Sequence, residues 1–209
     1  MIIGICGFIG SGKDTIADYL VNFHGFRRES FASSLKDAVS AVFGWDRILL
    51  EGRTQESRSW REQKDEWWSN RLGIDITPRA VLQNWGTEVL RSGFHDDIWI
   101  ASVENKIRHI SDNVVITDCR FPNEIKALKS INGKVIRVKR TDEPYWYNTA
   151  IDANAGDYNA ASLMKDFNVH YSEYAWVGTD FDVVIDNESS IDELYKSIKC
   201  LVLDLPASM

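Results

Sequence analysis

The chain has 209 residues, of which 44% are hydrophobic, and a formal net charge of −7. This is enough for one globular unit with its own core, while the acidic balance speaks against long nucleic acid as a partner and no apolar run is long enough for a membrane-spanning helix. Three scattered cysteines, Cys6, Cys119 and Cys200, do not make a disulfide framework and suit a reduced, cytoplasmic setting.

The opening "MIIGICGF" has neither a basic leader nor a long apolar run and is not expected to be a signal peptide. Within it "IIGIC" (Ile2 to Cys6) is apolar without alternation, the pattern of a strand buried on both faces. After a glycine turn, Ile16, Ala17, Leu20 and Phe23 recur at helical spacing until Gly25 closes the helix. "FRRESFA" (Phe26 to Ala32) reads as a second strand, and "SSLKDAVSAVFGW" as a helix with Ser33 or Ser34 as N-cap. Residues 46 to 112 are expected to be mainly helical, with Thr77 capping and Pro78 opening the helix of "TPRAVLQNWGTEVLR". "NVVITD" (Asn113 to Asp118) is a buried strand ending in a carboxylate, "FPNEIKALKSIN" a helix, and "KVIRVKR" (Lys134 to Arg140) a fourth strand. Residues 141 to 177 read as a loop-rich excursion with one short helix. "DFDVVIDN" (Asp180 to Asn187) is a fifth strand, and the capping box "SIDE" (Ser190 to Glu193) starts a last amphipathic helix. Strands alternating with helices imply an α/β fold with a parallel sheet covered on both faces.

In such sheets ligands bind beyond the carboxyl ends of the strands. The glycine turn, Asp118 and Arg140 all fall at such ends. "GFIGSGKDT" places Gly7, four residues, then Gly12 and Lys13 between a buried strand and a helix, the core of a P-loop. Across Gly7, Gly10, Ser11 and Gly12 the backbone can wrap a phosphate with its N–H groups. The helix N-terminus faces the anion, and Lys13 adds a mobile charge for the β- and γ-phosphates. The place after the lysine, where a magnesium-binding Ser or Thr is usual, holds Asp14, with Thr15 next. The plainer alternative is a glycine turn needed only for tight packing.

In "VVITDCRFPNE", Asp118 stands where a P-loop enzyme needs a carboxylate for the magnesium shell. Arg120 could serve a phosphate beside it, or the two could form a local ion pair that stitches the loop. Glu124 either joins them or favours the start of its helix. Arg79 and Gln83, four apart, share a helix face. An arginine fork grips phosphate and a glutamine can pair with a base edge; a solvated face is the alternative. Trp85 and Trp99 are expected in the core, and His24, His95 and His109 read as structural. Arg53, Arg58 and Arg61 either close on phosphates or pair with Glu51, Glu56, Glu62 and Asp65. Trp67 and Trp68 serve either a homodimer surface or the core.

The "GKDT" ending resembles the nucleoside monophosphate kinases, and "SGKDT" looks most like the deoxynucleoside monophosphate kinases of tailed bacteriophages. "DCRFPNE" is similar to that family's Asp-x-Arg-Phe-x-Asn-Glu pattern. "TPR...LQ..GTEV.R" and "DDIW" (Asp96 to Trp99) resemble its acceptor region, and "SFASSLKDAV" its stretch after strand two. "HYSE" (His170 to Glu173) is similar to its His-x-Ser/Thr-Glu stretch, and "IDNESS" to its Asn-Asp-Gly-Ser turn, with Glu188 and Ser189 where that turn has Asp and Gly. The likeness runs in order from about residue 2 to residue 200.

The resemblance implies a three-layer P-loop kinase fold with a five-stranded parallel sheet, a helical acceptor-binding insertion and a lid. The core would be residues 1–45, 113–140 and 180–205, the insertion 46–112 and the lid-like segment 141–177. It implies ATP and Mg2+, and transfer of a phosphoryl group to a deoxynucleoside monophosphate (dNMP). Lys13, Asp118, Arg120 and Arg140 would act on the transferring phosphate. Asp118, with Asp14 or Thr15, would hold the metal; Asn187 would border the adenine. Lys36, Arg79, Gln83, Glu88 and Arg91 would place the acceptor. Residues 141 to 177 contain no arginine, a departure from a multi-arginine lid. The partners implied are small molecules, with no long nucleic acid and no membrane, in a phage-infected cell's cytoplasm. The rivals are another small-molecule P-loop kinase resembling dephospho-coenzyme A kinase, and a nucleotide-binding switch without acceptor turnover.

Overall fold

The computed structural model describes residues 1–203. Residues 204 and 205 of the expected core lie outside them. Five strands form one parallel sheet in the order β2-β3-β1-β4-β5: β1 (Ile2–Cys6), β2 (Arg27–Glu29), β3 (Val114–Ile116), β4 (Lys134–Lys139) and β5 (Val183–Asp186). β1 is central, with Ile3 opposite Val115 of β3 and Ile5 opposite Ile136 of β4. From β1 the chain steps out to β2 at the edge, returns to β3 between β2 and β1, then crosses to β4 and β5 on the other side. That reversal opens a crevice at the carboxyl ends of the central strands.

Alternation across the pleat assigns the two faces. Ile3, Ile5, Val115, Ile136, Val138 and Ile185 are buried with Ile16, Ala17 and Leu20 of α1 (Lys13–His24) and Leu194 and Ile198 of α12 (Ile191–Leu203). Gly4 points the other way, toward α8 (Pro122–Ser130). A side chain there would collide with Leu128 Cδ1 at 2.5 Å and Cys119 Sγ at 2.8 Å. Only hydrogen at Gly4 lets this helix approach the central strand, and the result is three layers.

Chain contacts define two compact units: Met1–Ser30 together with the chain from Lys106 onward, and Phe31–Asn105. The second is helical, with α2 (Ser33–Phe43), α3 (Arg47–Glu51), α4 (Gln55–Glu62), α5 (Glu66–Leu72), α6 (Pro78–Asn84), a π-helical stretch Trp85–Ser92, and α7 (Ile98–Ile107). Short polar residues start these helices: Asp46, Thr54, Asp65 and Thr77 each accept a backbone N–H from the first turn. Its core is aromatic. Phe43 stacks on Trp45 at 4.4 Å and meets Trp68 and Trp85, while Trp99 is buried and donates Nε1 to Gly86 O at 2.9 Å.

Two local expectations are corrected. Ala32, not Ser33 or Ser34, holds the cap position of α2; the Ser34 hydroxyl is engaged with Ser102 Oγ at 2.7 Å. Residues 141 to 177 contain three helices rather than one: α9 (Tyr147–Asn154), α10 (Tyr158–Asp166) and α11 (Tyr171–Tyr174). The small residues that suggested loop are packing residues, because Ala150 and Ala160 are buried with Met164 and Trp176. Asn154 ties the segment together by donating to the carbonyls of Tyr174 at 2.9 Å and Val177 at 2.8 Å.

Candidate functional site

In the loop between β1 and α1, Gly7, Gly10 and Gly12 have φ of 143°, 81° and 106°. A Cβ on Gly7 would meet Val138 O at 2.5 Å, and one on Gly12 would meet Asn187 Nδ2 at 2.3 Å. Both the backbone twist and the close approach exclude a side chain. Ser11 Oγ is buried with no hydrogen-bond partner in the structure. An unsatisfied buried hydroxyl beside left-handed glycines fits an anion cradle better than a turn needed only for packing.

Lys13 curls over this loop and donates Nζ to the carbonyls of Gly7 and Phe8, each at 2.7 Å. Burial, and then the neighbouring Arg120, lower its ammonium from 10.5 to about 8. The loop is anchored from behind, where Phe8 packs on Trp176 at 4.8 Å and on Trp146 at 5.4 Å. Asn187 donates Nδ2 to Ser11 O at 2.9 Å, so the turn after β5 braces the loop backbone directly. Exposed Arg140, after β4, reaches Gly10 O with Nη1 at 3.5 Å.

Past β3, Asp118 accepts the Ser30 hydroxyl at 2.7 Å. Arg120 is fixed at both ends. Its backbone N–H donates to Glu124 Oε2 at 2.7 Å, and its Nη1 to Glu173 Oε1 at 2.8 Å. Glu124 also accepts the N–H of Phe121 at 3.1 Å and is buried, so it holds the turn that carries Arg120. Asp14 is drawn to β2, where it pairs with Arg28. Arg28 also reaches Asp18 at 3.0 Å and Thr117 Oγ1 at 3.4 Å. Thr15 is half-buried in the first turn of α1. Among the described residues no group of three or more His, Cys, Asp or Glu could hold a metal ion. A magnesium ion held mainly by phosphate and water needs one or two protein oxygens, a role that the carboxylate of Asp118 and the hydroxyl of Thr15 fit by chemistry.

The expected acceptor residues lie in the helical unit. Lys36 pairs with Glu51 Oε2 at 2.7 Å, and Glu51 also pairs with Arg47. Burial pushes the Glu51 carboxyl up, but the two cations outweigh it and bring it to about 2. Arg79, on α6, is 3.4 Å from Glu62, with half-buried Gln83 one turn on. Glu88 is exposed on the π-helical stretch. Arg91 is buried and donates Nη1 to Asp96 O at 2.7 Å, which makes it a brace for the turn before α7. Arg58 donates to the carbonyls of Gly52 and Arg53 rather than to a carboxylate. Trp67 is 64% exposed, while Trp68 is tied to Phe43 O at 3.0 Å.

Arg28, Ser30, Phe8 and Glu173 were not singled out as contacts of the site by sequence. The one visible signal was "RRES", which puts charge and a hydroxyl at the end of a short strand beside the carboxylate strand. Glu173 had only its place in "HYSE", without a role.

No family model matches the chain. It is 28% identical over 212 aligned residues to a protein of Acanthamoeba polyphaga mimivirus named as a deoxynucleotide monophosphate kinase, which covers 95% of this chain and 94% of that one. It is also 28% identical over 184 residues to the deoxynucleoside-5'-monophosphate kinase of Escherichia phage T5, covering 63% of this chain and 73% of that one. Among solved structures, a shikimate kinase from Bacteroides thetaiotaomicron aligns over 97% of this chain with a TM-score of 0.47 and 11% identity.

Proposed function

We propose that this chain is an ATP-dependent deoxynucleoside monophosphate kinase of the host cytoplasm, converting dNMP and ATP to dNDP and ADP. The observation that carries it is the gathering of a loop of left-handed glycines, Lys13, Asp118 and Arg120 at the carboxyl ends of β1 and β3. The acceptor class is supported by the two named viral relatives, which do not favour a dephospho-coenzyme A kinase or a switch. Among the described residues no helix is long and apolar enough to cross a membrane.

Phosphoryl transfer asks little covalent chemistry of a protein, so the work is positioning and charge. The loop amides and Ser11 hold the donor phosphates. On nucleotide binding, Lys13 exchanges the carbonyls of Gly7 and Phe8 for phosphate oxygens. Asp118, with Thr15, offers oxygens to magnesium. Magnesium, when bound with the nucleotide, offsets charge on the phosphate oxygens. Arg120 and Arg140 stabilise charge on the group in transfer. No general base is needed, because a phosphate acceptor is already ionised. In the helical unit Lys36 and Arg79 grip the acceptor phosphate, Gln83 and Glu88 meet the nucleoside, and Arg91 braces their scaffold.

The deciding experiment measures ADP release from Mg·ATP with each of the four dNMPs, AMP, GMP and dephospho-coenzyme A. Turnover that depends on one or more dNMPs is expected. Turnover with dephospho-coenzyme A alone, or nucleotide binding with no acceptor-dependent release, would overturn the assignment.

A further inference from the structure

The stretch "HYSE" carries no obvious phosphate ligand, yet it is built with care. His170 Nδ1 accepts the backbone N–H of Ser172 at 3.3 Å and bonds the Ser172 hydroxyl at 2.8 Å, which caps α11 and sets the direction of Glu173. Tyr171 packs edge-on against Phe121 at 5.9 Å, so the turn docks on the residue next to Arg120. The backbone carbonyl of Glu173 accepts Trp176 Nε1 at 3.1 Å. Trp176 is buried and packs on Phe8 of the phosphate loop. Glu173 is thereby tied to the phosphate loop through the buried ring of Trp176 and to the Arg120 turn through the exposed ring of Tyr171. Its carboxylate then takes Arg120 Nη1 at 2.8 Å.

We infer that Glu173 is the positioning residue for Arg120, and that the His170–Glu173 turn exists to present this carboxylate. The physical need is clear. The Arg120 side chain is 41% exposed, and a long arginine left to solvent samples many rotamers. Glu124 accepts its backbone N–H, and Glu173 is the carboxylate hydrogen-bonded to its guanidinium. A guanidinium that must meet developing phosphate charge contributes most when it is already in place. A carboxylate on a capped, packed turn supplies that. The inference rests on the proposal that Arg120 acts on phosphate.

The test compares Glu173→Gln, Glu173→Asp, Arg120→Ala and the Glu173→Gln/Arg120→Ala pair in steady-state kinetics. Glu173→Gln keeps the shape of the side chain and the cap of α11, so folding is preserved, and its Tm is read in parallel. We expect it to lower kcat by about ten- to a hundred-fold, the cost of a misplaced reacting geometry, with KM for both substrates within about threefold. Glu173→Asp should recover part of the loss. The pair should be no slower than Arg120→Ala alone, because Glu173 acts through Arg120. A kcat for Glu173→Gln within about twofold of the parent, with Arg120→Ala still crippled, overturns this inference and leaves Arg120 standing. So does a pair whose loss is the product of the two single losses. Parental turnover in Arg120→Ala overturns both the inference and the role of Arg120.

Discussion

Lys13 allows a prediction in which activity falls while stability at neutral pH is held. In the free protein burial and Arg120 hold its ammonium near 8 instead of 10.5. The difference corresponds to about 3 kcal/mol of disfavour for the charged form at neutral pH. The sign follows from proton counting. Between about 8 and 10.5 the unfolded chain binds the proton that the folded chain has lost, so stability rises with pH across that window and the penalty is complete below it. Lys13→Met removes the buried charge but also two hydrogen bonds from a charged donor to carbonyls, each worth about 1.5 kcal/mol or more. The two effects nearly cancel, so Tm at pH 7 should stay within about 2 °C of the parent. Turnover in the same variant should fall by about two orders of magnitude or more, the size of losing one electrostatic stabiliser. The assay pairs thermal unfolding at pH 7 and pH 10 with dNMP-dependent ADP release. At pH 10, where the parent has shed the proton and with it most of the penalty, the variant should be the less stable of the two. In the parent, kcat/KM for ATP should decline as pH rises through about 8. A Tm several degrees below the parent at pH 7, or a rate profile flat to pH 9.5, would refute the account of Lys13 as a charge held at a cost for phosphate.

Gly12→Ala places a Cβ 2.3 Å from Asn187 Nδ2 at φ 106° and breaks the bond from Asn187 to Ser11 O. The cost is about 2–3 kcal/mol, roughly 4–12 °C in Tm, with weaker ATP binding by titration; an unchanged Tm would remove Asn187 as a brace. Glu51, lowered to about 2, lends stability above the ordinary value of 4.5 that is lost as pH falls toward 2. With its side chain 28% exposed, solvent screening limits this to about 2 kcal/mol, so the urea midpoints of Glu51→Gln and the parent should differ at pH 7 and converge near pH 2. Arg79→Ala should raise KM for dNMP by about tenfold or more while KM for ATP stays put; unchanged dNMP kinetics would remove Arg79 from the acceptor site.

The sheet was legible because buried parallel strands leave a mark that does not depend on distant partners. "IIGIC" matches β1 residue for residue, and "KVIRVKR" overruns β4 by one residue, Arg140. The apolar run is the direct consequence of cover on both faces. Thr77 and Pro78 were readable for the same reason, since a cap answers to its own first turn. Residues 141 to 177 were not. Ala150, Ala160 and Met164 are core residues whose role depends on one another across two helices, and small side chains at a tight packing point look like small side chains in a loop. The cap of α2 failed similarly, because the Ser34 hydroxyl answers to Ser102.

In the site, residue types were readable but their holders were not. Lys13, Asp118 and Arg120 announce themselves by chemistry and by place at strand ends. Each is fixed by a group from another segment: Asp118 by Ser30 after β2, Arg120 by Glu173 after α10, and the loop of Lys13 by Asn187 after β5. The pairing has a common cause. A charged group that must meet phosphate cannot be buried in apolar packing without losing its charge. It cannot be left in solvent either without losing its position. Opposite charge or a hydroxyl on a neighbouring rigid segment satisfies both conditions, and the topology of the sheet makes those neighbours distant in the chain. Asp14 fits the same logic in reverse. It occupies the position where a P-loop usually keeps a hydroxyl for magnesium, yet it turns to Arg28, which also holds Asp18 and the Thr117 that precedes Asp118. An aspartate there ties the first turns of α1 to the carboxylate strand through Arg28.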